Sequence, residues 1–98
     1  MIHIHGTISS RARRVLWTAE EAGVDYRFVP VDLRAGEHRG EAFRALNPNA
    51  RVPAMVHGDL VLFESAAIAR YIAAQAPGGG LVPEPGTRAA ALFDQWMF

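Results

Sequence analysis

Val52-Pro53 and, eleven residues past the proline, Glu64-Ser65 are the residues whose types and spacing suit a ligand. A proline has no N–H and a fixed φ. It also disfavours the helical region for the residue before it, so Val52 is expected to be extended. An extended Val52 offers its own N–H and C=O to a strand-like partner. Glu64-Ser65 falls where a helix should begin, and the free N–H groups of a first helical turn, with a hydroxyl beside them, seat a carboxylate. An acid, a hydroxyl and an open backbone pair together suit a small zwitterionic peptide. Taken singly, Ser65 reads equally well as an ordinary helix cap.

These residues need elements to hold them, and the hydropathy pattern supplies a set. Met1 to His5 alternates, Ile2 and Ile4 against His3 and His5, as a strand does. A helix of about three turns follows Ser10, with Ala12, Val15, Leu16, Ala19 and Ala22 as its buried stripe and Gly23 as its stop. Tyr26 to Val31 is the second strand, Asp32 to Gly40 a loop, and Glu41 to Leu46 a short helix ended by Asn47-Pro48. Pro53 to Val56 and Leu60 to Phe63 form a hairpin around His57-Gly58-Asp59. Ser65 to Gln75 is a helix with Ile68 and Ile72 inward, stopped by Pro77 and the glycines after it. The order β-α-β-α-β-β-α makes the first two strands parallel and the hairpin antiparallel, hence a mixed four-stranded α/β sheet.

Composition closes off several functions. With 10 basic and 10 acidic residues the chain is formally neutral, which gives no electrostatic case for nucleic acid or an anionic membrane. All the basic residues are arginine. Cysteine is absent, so disulfides, thiolate metal sites and redox work on the protein's own sulfur are excluded. His3 and His5 share a strand face without a third ligand, and no metal site is expected. His57 reads as a solvated turn residue. Arg11, Arg13 and Arg14 read as surface partners of Glu20 and Glu21, and Trp17 as packing beneath the sheet or at a seam between domains. The N-terminus carries no secretory pattern and no segment is long enough for a membrane span, so a cytoplasmic setting is expected.

Residues 81–98 stand apart. Leu81 to Gly86 is a linker, after which Ala89, Leu92, Phe93, Trp96 and Met97 recur at helical spacing. Such a stripe must cover itself. It reads as the start of an all-helical C-terminal domain or as a surface buried in a homodimer, giving a division of 1–78, 79–86 and 87–98.

The chain resembles the N-terminal, thioredoxin-like domain of cytosolic glutathione transferases. The resemblance rests on Ser9 to Gly23, on Gly36-Glu37-His38, on Asn47 to Pro53 and on Glu64 to Tyr71. It is nearest to the serine-type, theta- and zeta-like branch and its bacterial relatives. It implies a cis peptide bond before Pro53. It also implies glutathione as co-substrate, with a detoxifying transfer of its sulfur to a hydrophobic electrophile. On the matching positions, Glu64 would take the ligand's ammonium and Ser65 its γ-glutamyl carboxylate. Val52 would pair the cysteinyl unit, and Arg51 and His38 would hold the glycine carboxylate. Arg51 and His38 read alternatively as solvated loop residues. The thiol itself needs a hydroxyl donor near the start of the first helix, since a free thiol with a pKa of about 8.5 is mostly protonated at neutrality. The resemblance puts that donor on Ser9 with Ser10 as the alternative, and Arg11 adds positive potential. One of the two serines is also expected to cap the helix. Without a tyrosine before residue 26 or any cysteine, the tyrosine- and cysteine-type enzymes do not fit. A binding module without turnover, or a glutathione-dependent isomerase, is the alternative.

Overall fold

The alternation of Ile2 and Ile4 with two histidines does make the first strand, β1 (Ile2–Gly6), in the computed structural model, which describes residues 1–98. The elements that follow are α1 (Ala12–Ala22), β2 (Tyr26–Pro30), a single 3-10 turn (Glu37–Arg39) and α2 (Glu41–Arg44). Then come β3 (Ala54–His57), β4 (Leu60–Phe63), α3 (Ser65–Ala74) and α4 (Arg88–Met97). The sheet runs β2-β1-β3-β4, with β1 parallel to β2 and antiparallel to β3, and with β3 and β4 forming the hairpin. Gly58 turns that hairpin at a φ of 64°, which a glycine adopts without a Cβ penalty. No helix is long and apolar enough to cross a membrane.

Helices α1 and α3 share one face of the sheet. Ile2, Ile4 and Met55 meet Val15, Ala19, Ala22, Ile68 and Ile72 there in the main core. The small residues of α1 set this packing, because Ala12 and Ala19 allow the helix to lie close against the strands. The other face holds a lesser cluster of Val31, Phe43 and Ala54, with Leu46 and Val52 at its margin. Gly23 ends α1 in the left-handed region (φ 69°), its N–H reaching back to the last turn, as its position after the apolar stripe predicts.

Three expectations need correction. His57 is not simply solvated: its Nδ1 lies 2.8 Å from the Tyr71 hydroxyl, and the rings meet edge to face, tying the hairpin to α3. The arginines near α1 do not pair with Glu20 or Glu21. Arg13 instead donates to the Ile8 carbonyl, while Trp17 and Tyr26 take those two glutamates. Of the two settings read for Trp17, the one beneath the sheet does not hold, since the residue is 67% exposed; a seam between domains is untouched by this.

The last helix turns only part of the stripe read in the sequence toward its own domain. Thr87 caps α4 by accepting from the Ala90 N–H. Ala90 is buried and Phe93, Asp94 and Met97 are half-buried, one residue out of step with Ala89, Leu92 and Trp96, which face solvent. Arg70 of α3 pairs with Asp94 at 3.2 Å and lies over the Phe93 ring, so the inward face of α4 meets α3 through these residues. Trp96 is left 85% exposed.

Candidate functional site

One end of the sheet gathers the residues that could do chemistry. β1 and β2 are parallel, so both finish at this end, and β3 begins there. The register pairs His5 with Ala54 and Ala54 with Phe63. It therefore brings Gly6, Pro53 and Glu64, each the next residue along, to a common edge. The loop from Thr7 to Ser10, the segment from Asn47 to Pro53 and the start of α3 converge from three separate stretches of chain.

Within this edge, Ser10, Arg11, His38, Arg51 and Val52 line a cleft of about 520 Å³ together with Leu33, Arg39, Asn49 and Ala50. Three arginines and a histidine therefore line one cleft that has no acid among its walls, a setting for carboxylate. The His38 Nδ1 is buried and has no partner within the protein. Neither the N–H nor the C=O of Val52 is engaged inside the chain, so the backbone pair expected there is open. The Val52–Pro53 peptide is cis, as the resemblance implies. Pro53 is buried and does not face the cleft, and Ser9, Glu64 and Ser65 also lie outside its walls.

The two serines divide the tasks left open between them. The Ser10 hydroxyl donates to the Thr7 carbonyl at 2.8 Å and accepts from the Ala12 N–H at 3.2 Å. It caps the entry to α1 and has no proton left to give. Ser9 is exposed, and its hydroxyl touches only that of Thr7, at 3.4 Å. Ser9 is therefore the free donor at the mouth of α1.

The start of α3 departs from the expectation of a serine cap. Glu64, not Ser65, occupies the capping position, and no side chain caps the helix. Ser65 is the first helical residue, so its hydroxyl and the N–H groups of the first turn stay available. Glu64 itself adopts φ 76° and ψ 111°, a conformation that costs a non-glycine residue about 1–3 kcal/mol. The exposed carboxylate it carries has no hydrogen-bond partner, so this backbone is not held by its own side chain.

Arg39 and Asn49 line the cleft but were not singled out in the sequence. Arg39 follows His38 in a stretch that reads as loop, and only the 3-10 turn aims both at one cavity. On the sheet face below, His3 and His5 have no third His, Cys, Asp or Glu near enough to complete a metal site. Burial, helped by His3 and opposed by Glu37, holds the His5 imidazole below its ordinary 6.5. The unfolded chain then takes up this proton at a higher pH than the folded one. Stability should accordingly fall as pH drops from 6.5 toward the lower folded value. Urea midpoints above and below pH 6.5 should differ in the native protein, and His5→Gln should lose that part of the difference.

The family model for the glutathione S-transferase N-terminal domain matches residues 2–74. Among curated proteins, glutathione S-transferase 3 of Zea mays is 44% identical over 90 residues, covering 92% of this chain and 40% of its own length. The crystal structure of glutathione transferase F7 from Populus trichocarpa superposes with a TM-score of 0.86 at 38% identity, over 98% of this chain and 46% of that one. A theta class glutathione S-transferase from Xanthomonas axonopodis pv. citri, solved with glutathione bound, gives 0.85 at 44% identity over 97% and 45%. The chain thus spans less than half the length of these relatives. The similarity extends to plant enzymes carrying F designations as well as to the bacterial theta class, a wider set than the bacterial theta- and zeta-like branch expected from the motifs.

Proposed function

We propose a function from one premise: the chain belongs to the glutathione S-transferase family, whose N-terminal domain it matches over residues 2–74. In our reading the cleft at the sheet end seats reduced glutathione, and Ser9 holds its sulfur as thiolate for attack on an electrophile. The observation that carries this is the shared cavity of Arg11, His38, Arg51 and Val52, with the Val52 backbone pair unengaged beside it. Val52 pairs the cysteinyl N–H and C=O. Arg51, His38 and Arg39 answer the glycine carboxylate with charge-assisted hydrogen bonds. The open first turn of α3, with the Ser65 hydroxyl, takes the γ-glutamyl carboxylate, and the Glu64 carboxylate takes the ammonium.

Bond making is simple in outline. The glutathione proton leaves to solvent, the Ser9 O–H donates to the sulfur anion, and sulfur attacks the electrophilic carbon as the leaving group departs. A hydrogen bond to the anion lowers the thiol pKa by favouring the charged form. Ile8, 63% exposed beside Ser9, supplies apolar surface where a hydrophobic electrophile would lie. A serine-type enzyme fits, and the class with which this chain groups is left between the theta and F types. Residues 1–78 form the glutathione-binding unit in this reading, 79–86 the link, and 87–98 the first helix of a helical domain. Exposed Leu92 and Trp96 support burial of that helix in the remaining helices or in a homodimer. A reducing cytoplasm suits chemistry that depends on a free thiol.

Calorimetric titration with reduced glutathione tests the reading. The native chain should bind, and Ser65→Ala should bind about tenfold more weakly, the worth of one hydrogen bond to a charged group. No heat with the native chain, or equal affinity in the variant, would overturn the assignment. Binding without conjugation of any electrophile would favour a glutathione-holding module instead.

A further inference from the structure

We propose that Asn47 is a positioning residue for the ligand: it acts through the Asn49–Val52 backbone and touches no substrate itself. This rests on the glutathione reading given above. Asn47 is the buried polar residue of the fold, 3% exposed. Its N–H donates to the Phe43 carbonyl at 3.0 Å, closing the end of α2, and its C=O accepts from the Ala50 N–H at 3.0 Å. Its side chain is used at both ends. Oδ1 accepts from the Asn49 N–H at 2.9 Å and Nδ2 donates to the Arg51 carbonyl at 2.8 Å.

Four hydrogen bonds from one side of a short loop leave that loop one shape. Ala50 is held at a φ of 54°, unfavourable for a residue with a Cβ, and the chain passes from there directly to Arg51 and Val52. Asn49, Ala50, Arg51 and Val52 are successive walls of the cleft. The Arg51 carbonyl is turned inward to the asparagine, and the Val52 N–H and C=O that follow it stay unengaged. Asn47 thus determines which backbone groups are satisfied within the protein and which are left for the ligand. Neither aspartate nor alanine does the same here: aspartate keeps the acceptor but has no donor for the Arg51 carbonyl, and alanine has neither.

The comparison of native protein with Asn47→Asp decides it, using amide exchange by NMR and calorimetry with reduced glutathione, both well below the melting temperature. Expected is a folded variant whose Arg51 and Val52 amide resonances move while those of β1, β3 and α3 stay. Its glutathione affinity should fall about tenfold, the loss of one buried hydrogen bond's preorganisation. An asparagine of merely structural value would lower the melting temperature and leave the affinity of the folded variant alone; that result overturns the proposal. If the variant does not fold, the native protein still answers. Its Asn47 Nδ2 protons should exchange several-fold more slowly on addition of glutathione, and an unchanged rate overturns the proposal. A native chain that binds no glutathione brings down the functional reading first, and is told apart because the loop resonances of Asn47→Asp report on the clamp without ligand.

Discussion

Ser9→Ala is expected to leave glutathione affinity nearly intact while removing the thiolate. The bound thiol should titrate near the free value of about 8.5, and conjugation at neutral pH should fall up to about thirtyfold, because a thiol of that pKa is only about 3% ionised at pH 7. The reason lies in how the two neighbouring hydroxyls are spent. Ser10 already gives its proton to the Thr7 carbonyl and receives the Ala12 N–H, whereas Ser9 has no committed acceptor. Ser10→Ala should do something different: a loss of about 1 kcal/mol in stability from the missing cap, with thiolate retained. Ultraviolet absorption of the bound thiolate against pH, run on both variants, separates the two roles. An unchanged titration in Ser9→Ala, with loss in Ser10→Ala, would exchange the assignments and refute the division of labour read from the hydrogen bonds.

The other large effect is expected at Gly6. A Cβ built there would fall on the Ala12 Cβ, with Val52 Cβ at 3.6 Å and the Ser10 hydroxyl at 3.8 Å from the same point. Neither backbone can yield cheaply, because Gly6 is paired with Pro30 in the sheet and Ala12 is fully buried in α1. Gly6→Ala should cost about 1–3 kcal/mol, lowering Tm by roughly 10 °C, and should also weaken glutathione binding by displacing the start of α1. The partner substitution Ala12→Gly makes the required space. Combined with Gly6→Ala it should recover stability beyond the sum of the single effects, despite the penalty of about 1 kcal/mol for glycine in a helix. Additive losses in a double-mutant cycle would show that the contact is not what selects glycine.

The elements were legible because each announces itself locally. The α1 stripe from Ala12 to Ala22 repeats at helical spacing, Gly23 stops it, and β1 alternates over five residues. The α/β order and mixed sheet follow from those patterns. The site was legible only as far as the motifs reach. Val52, Arg51 and His38 were named and do meet at one cavity, but Arg39 and Asn49 were not, since nothing in a loop sequence says which way a 3-10 turn will aim its side chains. Asn47 read as a helix stop; its side-chain bonds to Asn49 and Arg51 depend on a turn that periodicity does not describe. The positive φ of Glu64 was equally silent, because glutamate carries no sign of it as glycine would. In α4 the apolar spacing did not show which face meets α3: Phe93 and Met97 of the stripe turn inward beside Asp94, which pairs with Arg70, while Leu92 and Trp96 stay exposed.

The two indoles of this chain, Trp17 and Trp96, both project into water. Intrinsic fluorescence should therefore be red-shifted in the native state and change little in colour on denaturation. A blue shift would instead mark an event that covers α1 and α4, so emission becomes a gauge of association and a poor gauge of unfolding.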